Sequence, residues 1–368
     1  MDLNEKQQAF YNKALELYGD KLLKKNDVVL KIIKGNGKID FLPLEKITEA
    51  SFVADVLNDI IYDPTSDNLF TRYIIPPFSI LNTNAGEWKN RRSKWDAYLG
   101  SSLVGRKEGL AYGSWDNEVK GKMFKVREDD NGTSQFDAML CELLFKWFGF
   151  KGCKVLDPYA GGHTRGTVAT KIGYDYTGID LSKEQVEANR KRADELGLKP
   201  NWINDDAQNI ELHVQPNTID LVLTCPPYGD LEQYTDDPKD LSNMEYADFR
   251  KAHWKIIEKA LTCLKDNRFA VYVVGDFRDE KGFYRGFTAD TIKAFEHYGV
   301  PLYNHLVLLN AVGTASMRAN GQFRNRKMAK IHQDVLVFYK GDPTKIQETY
   351  GDMDASLPLP QIEQKSLF

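Results

Sequence analysis

Leu223-Thr224-Cys225-Pro226-Pro227-Tyr228-Gly229-Asp230 closes an apolar run, Ile219-Asp220-Leu221-Val222-Leu223, and its reading places the rest of the chain. The run has the length and composition of a buried parallel strand. A strand interior rejects consecutive prolines, so the chain must leave the sheet at Pro226. That exit sets Cys225, a stiff Pro-Pro backbone and a Tyr ring at the carboxyl edge of a sheet. Open α/β sheets bind their ligands at that edge.

Working outward, Cys153-Lys154-Val155-Leu156-Asp157-Pro158-Tyr159 reads as a first strand. It runs into a glycine-rich turn, Ala160-Gly161-Gly162-His163-Thr164-Arg165-Gly166, and then a helix. Glycines at such a turn let a ligand approach the backbone closely. A second strand, Tyr174 to Asp180, ends on an acid 23 residues after Asp157. That is close to the spacing at which an acid meets ribose hydroxyls. Ser182-Lys183-Glu184-Gln185 is a capping box for a helix to about Leu196. A third strand, Asn201 to Asn204, runs into Asp205-Asp206. Asp157, Asp180 and Asp206 thus end successive strands, with Cys-Pro-Pro-Tyr at the end of the next. Any one acid could be a turn or capping residue; together they line one edge of one sheet.

Downstream, Ser242-Asn243-Met244-Glu245 opens a helix to about Leu264 by the same capping logic. A strand at Phe269 to Asp276, a helix at Thr288 to His297 and two final strands, Leu302 to Ala311 and Asp334 to Tyr339, follow. Strands alternating with helices predict an α/β, Rossmann-like, mostly parallel doubly wound sheet. Phe136 to Phe148 is an amphipathic helix leading into it.

The flanks read differently. Residues 1–70 form an N-terminal extension with helical periodicity at Lys6 to Leu17 and Ile47 to Ile61, suited to packing or an adaptor role. Residues 71–130 form a basic and aromatic adjunct to the 131–340 domain, with an extended Tyr73-to-Phe78 piece and then Trp88-Lys89-Asn90-Arg91-Arg92-Ser93-Lys94-Trp95. Arg106-Lys107, Trp115 and Lys120 to Lys125 continue that texture. Cations mixed with tryptophans suit phosphate contact and base stacking, which makes Arg91 and Arg92 candidates. The alternative is a solvated helix with an aromatic inner face. Between the last two strands, Met317 to Lys330 carries five cations and no acid. A loop that long inside a domain suits a function, and Arg318, Arg324, Arg326, Lys327 and Lys330 predict contact with a nucleic-acid backbone. From Gly341 to Phe368 a polar, flexible tail is expected.

Composition narrows the class. The 368-residue chain is 42% hydrophobic with a formal charge of −4, which argues against a generally basic nucleic-acid binder but leaves room for a local patch. Cys141, Cys153, Cys225 and Cys263 lack paired spacing, so neither a disulfide framework nor a metal site is indicated. No 18-residue apolar span occurs and the N-terminus does not read as a signal peptide. A soluble, cytoplasmic protein is expected.

Over about residues 71–340 the chain resembles the adenine-N6 and cytosine-N4 DNA amino-methyltransferases. The resemblance rests on the glycine-rich motif, Cys-Pro-Pro-Tyr about 68 residues after Asp157, and His332-Gln333-Asp334 near the end. Phage-type DNA methylases are the most similar, with segments like Trp88-to-Trp95 and Val274-Gly275-Asp276-Phe277-Arg278-Asp279. Their motif is Asp, Asn or Ser followed by Pro-Pro and Tyr, Phe or Trp; here Cys225 takes the first slot. His163 stands in a turn that is usually Gly-Ser-Gly-Thr. The resemblance implies an antiparallel C-terminal strand and S-adenosylmethionine (SAM) as cofactor. Asp157 would then face its amino group, Asp180 its ribose hydroxyls and Asp206 its adenine. Phe136, Tyr159, Gly161, Leu181, Ala207 and Cys225 would complete the cofactor site. Cys225, Pro226, Pro227 and Tyr228 would receive a base flipped out of double-stranded DNA, with Tyr228 stacked on it.

Three other readings follow from the same residues. The motif also occurs in RNA guanine or adenine amino-methyltransferases. Cys225 and His163 suit a SAM-binding recognition module without turnover. A Cys225 thiolate adding to pyrimidine C6 would instead serve carbon-5 methylation. The C-terminal Gln364-Lys365-Ser366-Leu367-Phe368 resembles the peptide by which bacterial replication and repair proteins bind the sliding clamp. The alternative is that Leu367-Phe368 docks on the protein's own surface.

Overall fold

A computed structural model describes residues 69–100, 136–228, 239–310 and 315–353. The strands are β1 (Ile80–Asn82), β2 (Lys154–Asp157), β3 (Asp175–Asp180), β4 (Asn201–Asn204), β5 (Ile219–Thr224), β6 (Leu264–Val274), β7 (Leu302–Leu309) and β8 (His332–Lys340). They form one eight-stranded sheet in the order β1-β7-β8-β6-β5-β2-β3-β4. β8 runs antiparallel between β6 and β7, and the other pairings are parallel. β5 is buried at every position, as its unbroken apolar run requires of a central parallel strand.

The helices are α1 (Leu69–Tyr73), α2 (Gly86–Leu99), α3 (Ala138–Phe148), α4 (Thr164–Lys171), α5 (Lys183–Glu195), α6 (Tyr246–Cys263), α7 (Phe287–His297), α8 (Ala315–Phe323) and α9 (Ile346–Tyr350). They cover the sheet with two cores. Trp88, Trp95, Phe145, Tyr176 and Trp202 belong to one, and Phe249, Ile256, Phe295 and Phe338 to the other. The Ser182 cap forms as expected, its hydroxyl accepting from the Gln185 amide at 3.2 Å. β2 and β5 are neighbours whose chains continue to opposite sides of the sheet, so the crevice of a doubly wound fold opens between their carboxyl ends.

Four expectations need correction. Ser242 does not open α6: it sits in a 3-10 turn capped by Asp240, and the helix starts at Tyr246 without a side-chain cap. Residues 72–100 are no adjunct, because β1 pairs with β7 and α2 buries Trp88, Trp95 and Leu99 in the core. The basic stretch after β7 is not all loop, since α8 occupies its first part. Nor does the tail begin at Gly341: α9 lays Tyr350 against Phe150 and Phe269. The N-terminal extension through residue 68, Arg106 to Lys125 and Gln364 to Phe368 lie outside the described residues.

Candidate active site

Asp157, the last residue of β2, is fully buried and every oxygen is engaged. Arg165 donates to Oδ2 at 2.6 Å and the Tyr176 hydroxyl to the same atom at 2.7 Å. Thr224 donates to Oδ1 at 2.5 Å and the Tyr159 amide at 3.3 Å. Arg165 also binds the Tyr159 and Ala160 carbonyls and lies 4.7 Å over the Phe136 ring. Burial alone would lower the Arg165 pKa; the Asp157 charge outweighs it and holds the guanidinium ionised. The expected contact of Asp157 with a cofactor amino group is therefore overturned, because the carboxylate has no free surface. Asp157 instead ties the glycine-rich turn, β3, α4 and the residue before Cys225 into one unit. Arg165 and Thr224 were the unread partners; an Arg eight residues after the strand-ending acid is the one visible hint.

Asp180 ends β3 and keeps part of its surface. Its oxygens accept the Gly161 amide at 2.8 Å and the Ser182 amide at 2.9 Å. Burial pushes its pKa up, against those two amides. Gly161 takes φ +54°, where glycine avoids Cβ strain. A Cβ there would meet only the Tyr159 carbonyl, at 3.9 Å, so the turn has open space beside it. The Asn189 amide holds the Gly161 carbonyl at 2.7 Å. His163 adopts helical geometry as the N-cap of α4, with its Nδ1 3.2 Å from the Thr167 hydroxyl. The turn thus accommodates a buried side chain at position 163.

Asp206 caps the short turn that begins at the buried Ala207, and both its oxygens accept from Gln208. Its neighbour Asp205 is turned to His213 at 2.6 Å, whose hydrogen bond holds that carboxyl below its ordinary range. The Leu181 carbonyl accepts from Asn204 at 2.8 Å.

Cys225 follows β5, half-buried, with Pro226 buried and Pro227 and Tyr228 half-exposed. The Gln333 amide donates to the Tyr228 hydroxyl at 2.6 Å, and that hydroxyl lies 3.4 Å from the Cys225 sulfur. The phenol oxygen accepts from Gln333, and in its contact with the sulfur either the phenol or the thiol can be the donor. Tyr228 also packs on the backbone after β6, where a Cβ at Gly275 would stand 3.5 Å from its ring. Beneath the turn, the Tyr159 hydroxyl meets His253 Nδ1 at 2.8 Å, and His253 Nε2 lies 3.3 Å from Thr291 Oγ1. Thr291 donates to the Phe287 carbonyl, so it accepts from Nε2 and leaves Nδ1 to accept from the phenol. Burial lowers the His253 pKa to about 3, so the ring is neutral.

The cationic candidates divide. Arg91 is not available to a nucleic acid: it is buried and donates to both Glu142 oxygens, at 3.0 and 2.7 Å. Burial raises the Glu142 pKa, but the Arg91 bond and charge outweigh it and leave a net lowering. Trp95 donates to the same carboxylate at 2.8 Å and Trp88 to Asp137 at 3.0 Å. The aromatic inner face is therefore the correct reading of α2. Arg92 is half-buried, 3.4 Å from Asp137. Arg318 lies on α8, while Arg324 and Arg326 are exposed just beyond it. Lys327 is half-buried, and Lys330 is 3.7 Å from Asp334.

The strand order, the glycine-rich turn after β2 and the antiparallel β8 together define a Rossmann-like methyltransferase fold. No protein-family model matches the chain. It is 30% identical over 156 residues to the type II methyltransferase M.MjaVI of Methanocaldococcus jannaschii, covering 41% of this chain and 76% of that protein. It is 26% identical over 156 residues to the type II methyltransferase M.BglII of Bacillus subtilis, covering 40% of this chain but only 39% of that protein. Among solved structures, a SAM-dependent methyltransferase of Methanosarcina mazei aligns with 54% of this chain and 96% of its own, at 15% identity and a TM-score of 0.38. The chain belongs to the type II methyltransferases.

Proposed function

We propose that the protein transfers a methyl group from SAM to the exocyclic amino group of adenine (N6) or cytosine (N4) in double-stranded DNA. The observation that carries this reading is the placement of Cys225-Pro226-Pro227-Tyr228 at the switch point, tied to the glycine-rich turn through Thr224 and Asp157 at 2.5 Å.

The residues beside β2, β3 and β4 fit the cofactor. Asp180 keeps acceptor capacity at the crevice beyond its two amide bonds, suited to a pair of ribose hydroxyls. The open space beside Gly161 leaves room for a ligand against the backbone. Asp206 and Ala207 stand at the end of β4, where an adenine would lie. When bound, SAM supplies an electrophilic sulfonium methyl.

The chain's own task is to activate a weak nucleophile. An exocyclic amino group delocalises its lone pair into the base ring. The Pro226 carbonyl accepts one N–H and the position 225 side chain the other, drawing the nitrogen toward tetrahedral geometry. Those bonds strengthen as positive charge develops on nitrogen, so they favour the transition state over the ground state. Sulfur accepts weakly, and the Tyr228 phenol beside it fixes where it stands. Tyr228, held by Gln333, offers its ring face to the base. No strong base is needed, consistent with His253 being neutral and buried.

Incubating the protein with labelled SAM and either duplex DNA or transfer RNA tests the assignment. Label in DNA, recovered as N6-methyladenine or N4-methylcytosine, is the expected result. Label in the RNA alone, or as 5-methylcytosine, would overturn it.

A further inference from the structure

The same sheet edge carries a hairpin that the proposed methyl transfer does not use. After β6 the chain passes Gly275 and Asp276 and folds back over residues 277–286. Asp276 closes the base, its Oδ1 accepting the amides of Phe277, Gly286 and Phe287 at 3.0, 3.0 and 3.1 Å. Arg278 and Tyr284 form an antiparallel bridge across the hairpin. Asp279 closes the tip, its amide donating to the Phe283 carbonyl and its carboxylate accepting the Phe283 amide, each at 2.8 Å. Phe277 anchors the base in the core against Tyr246 and Phe287. The hairpin is thus pinned at both ends, and beside the exposed charges of its turn, Glu280 and Lys281, it presents two rings to water: Phe283 is 71% and Tyr284 47% exposed.

Its neighbours identify what such a tip would meet. At its foot, Gly275 lies against the Tyr228 ring. Near its tip, a Cβ on Gly282 would collide with the Lys327 ammonium, so the hairpin touches the basic segment after α8. Each of the two segments carries a guanidinium–ring pair: within the hairpin Arg278 sits 3.8 Å over Tyr284, and in the basic segment Arg326 lies 5.0 Å over the half-exposed Phe323. Arg326 holds φ +56°, a left-handed backbone in which an Arg is uncommon. The stretch from Met317 to Lys330 contributes cations and no acid. Clustered cations select a polyanion, and flat exposed rings select one with base faces. A pinned tip loses little conformational freedom on insertion.

We propose that the hairpin of residues 276–286 is a wedge for double-stranded DNA, with Phe283 entering the base stack where the target base leaves it. This rests on the DNA reading above. Arg278, Arg324, Arg326 and Lys327 hold the flanking phosphates while the phenyl ring covers the base face exposed by flipping. Apolar side chains between base steps unstack a duplex in this way.

The test uses the full chain and a duplex bearing the site it modifies, mapped by sequencing plasmid DNA after incubation with protein and SAM. A second duplex carries the same site with the target base opposite an abasic position, where no base pair remains to be broken and extrusion costs less. Phe283→Ala should lower kcat/KM on the paired duplex on the order of tenfold, the scale of one missing base–aromatic stack, and on the abasic duplex less than about threefold. Phe283→Trp should restore the paired duplex. Equal losses on both duplexes, or full activity of Phe283→Ala on the paired one, would overturn the wedge and leave the tip to another partner. If the wild-type protein modifies no DNA at all, the methylation reading falls first and the wedge with it.

Discussion

Asp180 and Cys225 carry the sharpest consequences at the scale of single residues. Asp180 has two backbone amides and spare acceptor capacity, so a ribose would complete a site that folding already orients. Asp180→Ala should weaken SAM binding by about 1–3 kcal/mol, the cost of leaving paired polar groups unmatched. Calorimetry with unchanged affinity would remove it from the cofactor site. At Cys225 acceptor strength decides the outcome. A Ser hydroxyl accepts a hydrogen bond better than a thiol, so Cys225→Ser should keep DNA methylation or raise it. Loss of all turnover, with a covalent complex trapped on 5-fluorocytosine DNA, would establish carbon-5 chemistry instead.

At the scale of elements, α2 and the segment after α8 show how similar cation-rich stretches come to different ends. α2 carries Trp88, Arg91 and Trp95 on the side that meets α3, and Glu142 there compensates the buried guanidinium. The segment after α8 has no acid of its own and leaves Arg324 and Arg326 in water. Replacing Arg324, Arg326 and Lys327 together by Ala should weaken DNA binding and flatten its salt dependence. The slope of log K against log[salt] should fall by about 0.9 for each phosphate no longer neutralised. An unchanged slope in a titration from low to moderate salt would assign the segment to something other than DNA.

Across the whole molecule, the sheet edge divides at β2 and β5. Asp180 and Asp206 lie on the β3–β4 side, while Gly275, the hairpin, Gln333 and the basic segment lie on the β6–β8–β7 side. His253 joins the layers beneath, linking Tyr159 in the turn to Thr291 on α7. Its folded pKa of about 3 lies below the ordinary 6.5. Below pH 6.5 the unfolded chain binds a proton that the folded one refuses, so this contribution to stability falls as pH drops from 6.5 toward 3. Above 6.5 both states are neutral and it contributes no pH dependence. Denaturant unfolding at pH 7.5 and 5.5 should show the wild type losing about 1.4 kcal/mol more over that interval than His253→Gln does. Equal losses in the two proteins would show that His253 takes up its proton without unfolding.

The order of strands, the acids at their ends and the exit at Pro226 were legible because they are local. Periodicity, proline stereochemistry and the glycine turn act over a few residues, and they suffice to bring Asp180, Asp206 and Cys225 to one edge. What only the tertiary structure decided is which side chains at that edge and around it remain available. Arg91 read as a phosphate contact until Glu142, 51 positions away, proved to be its partner. Asp157 read as a ligand to the cofactor, and its partner Thr224, 67 positions on, makes it the clamp between turn and motif. A buried charge is tolerated only where a distant partner offsets its desolvation. That partner is chosen by packing, which no local pattern encodes.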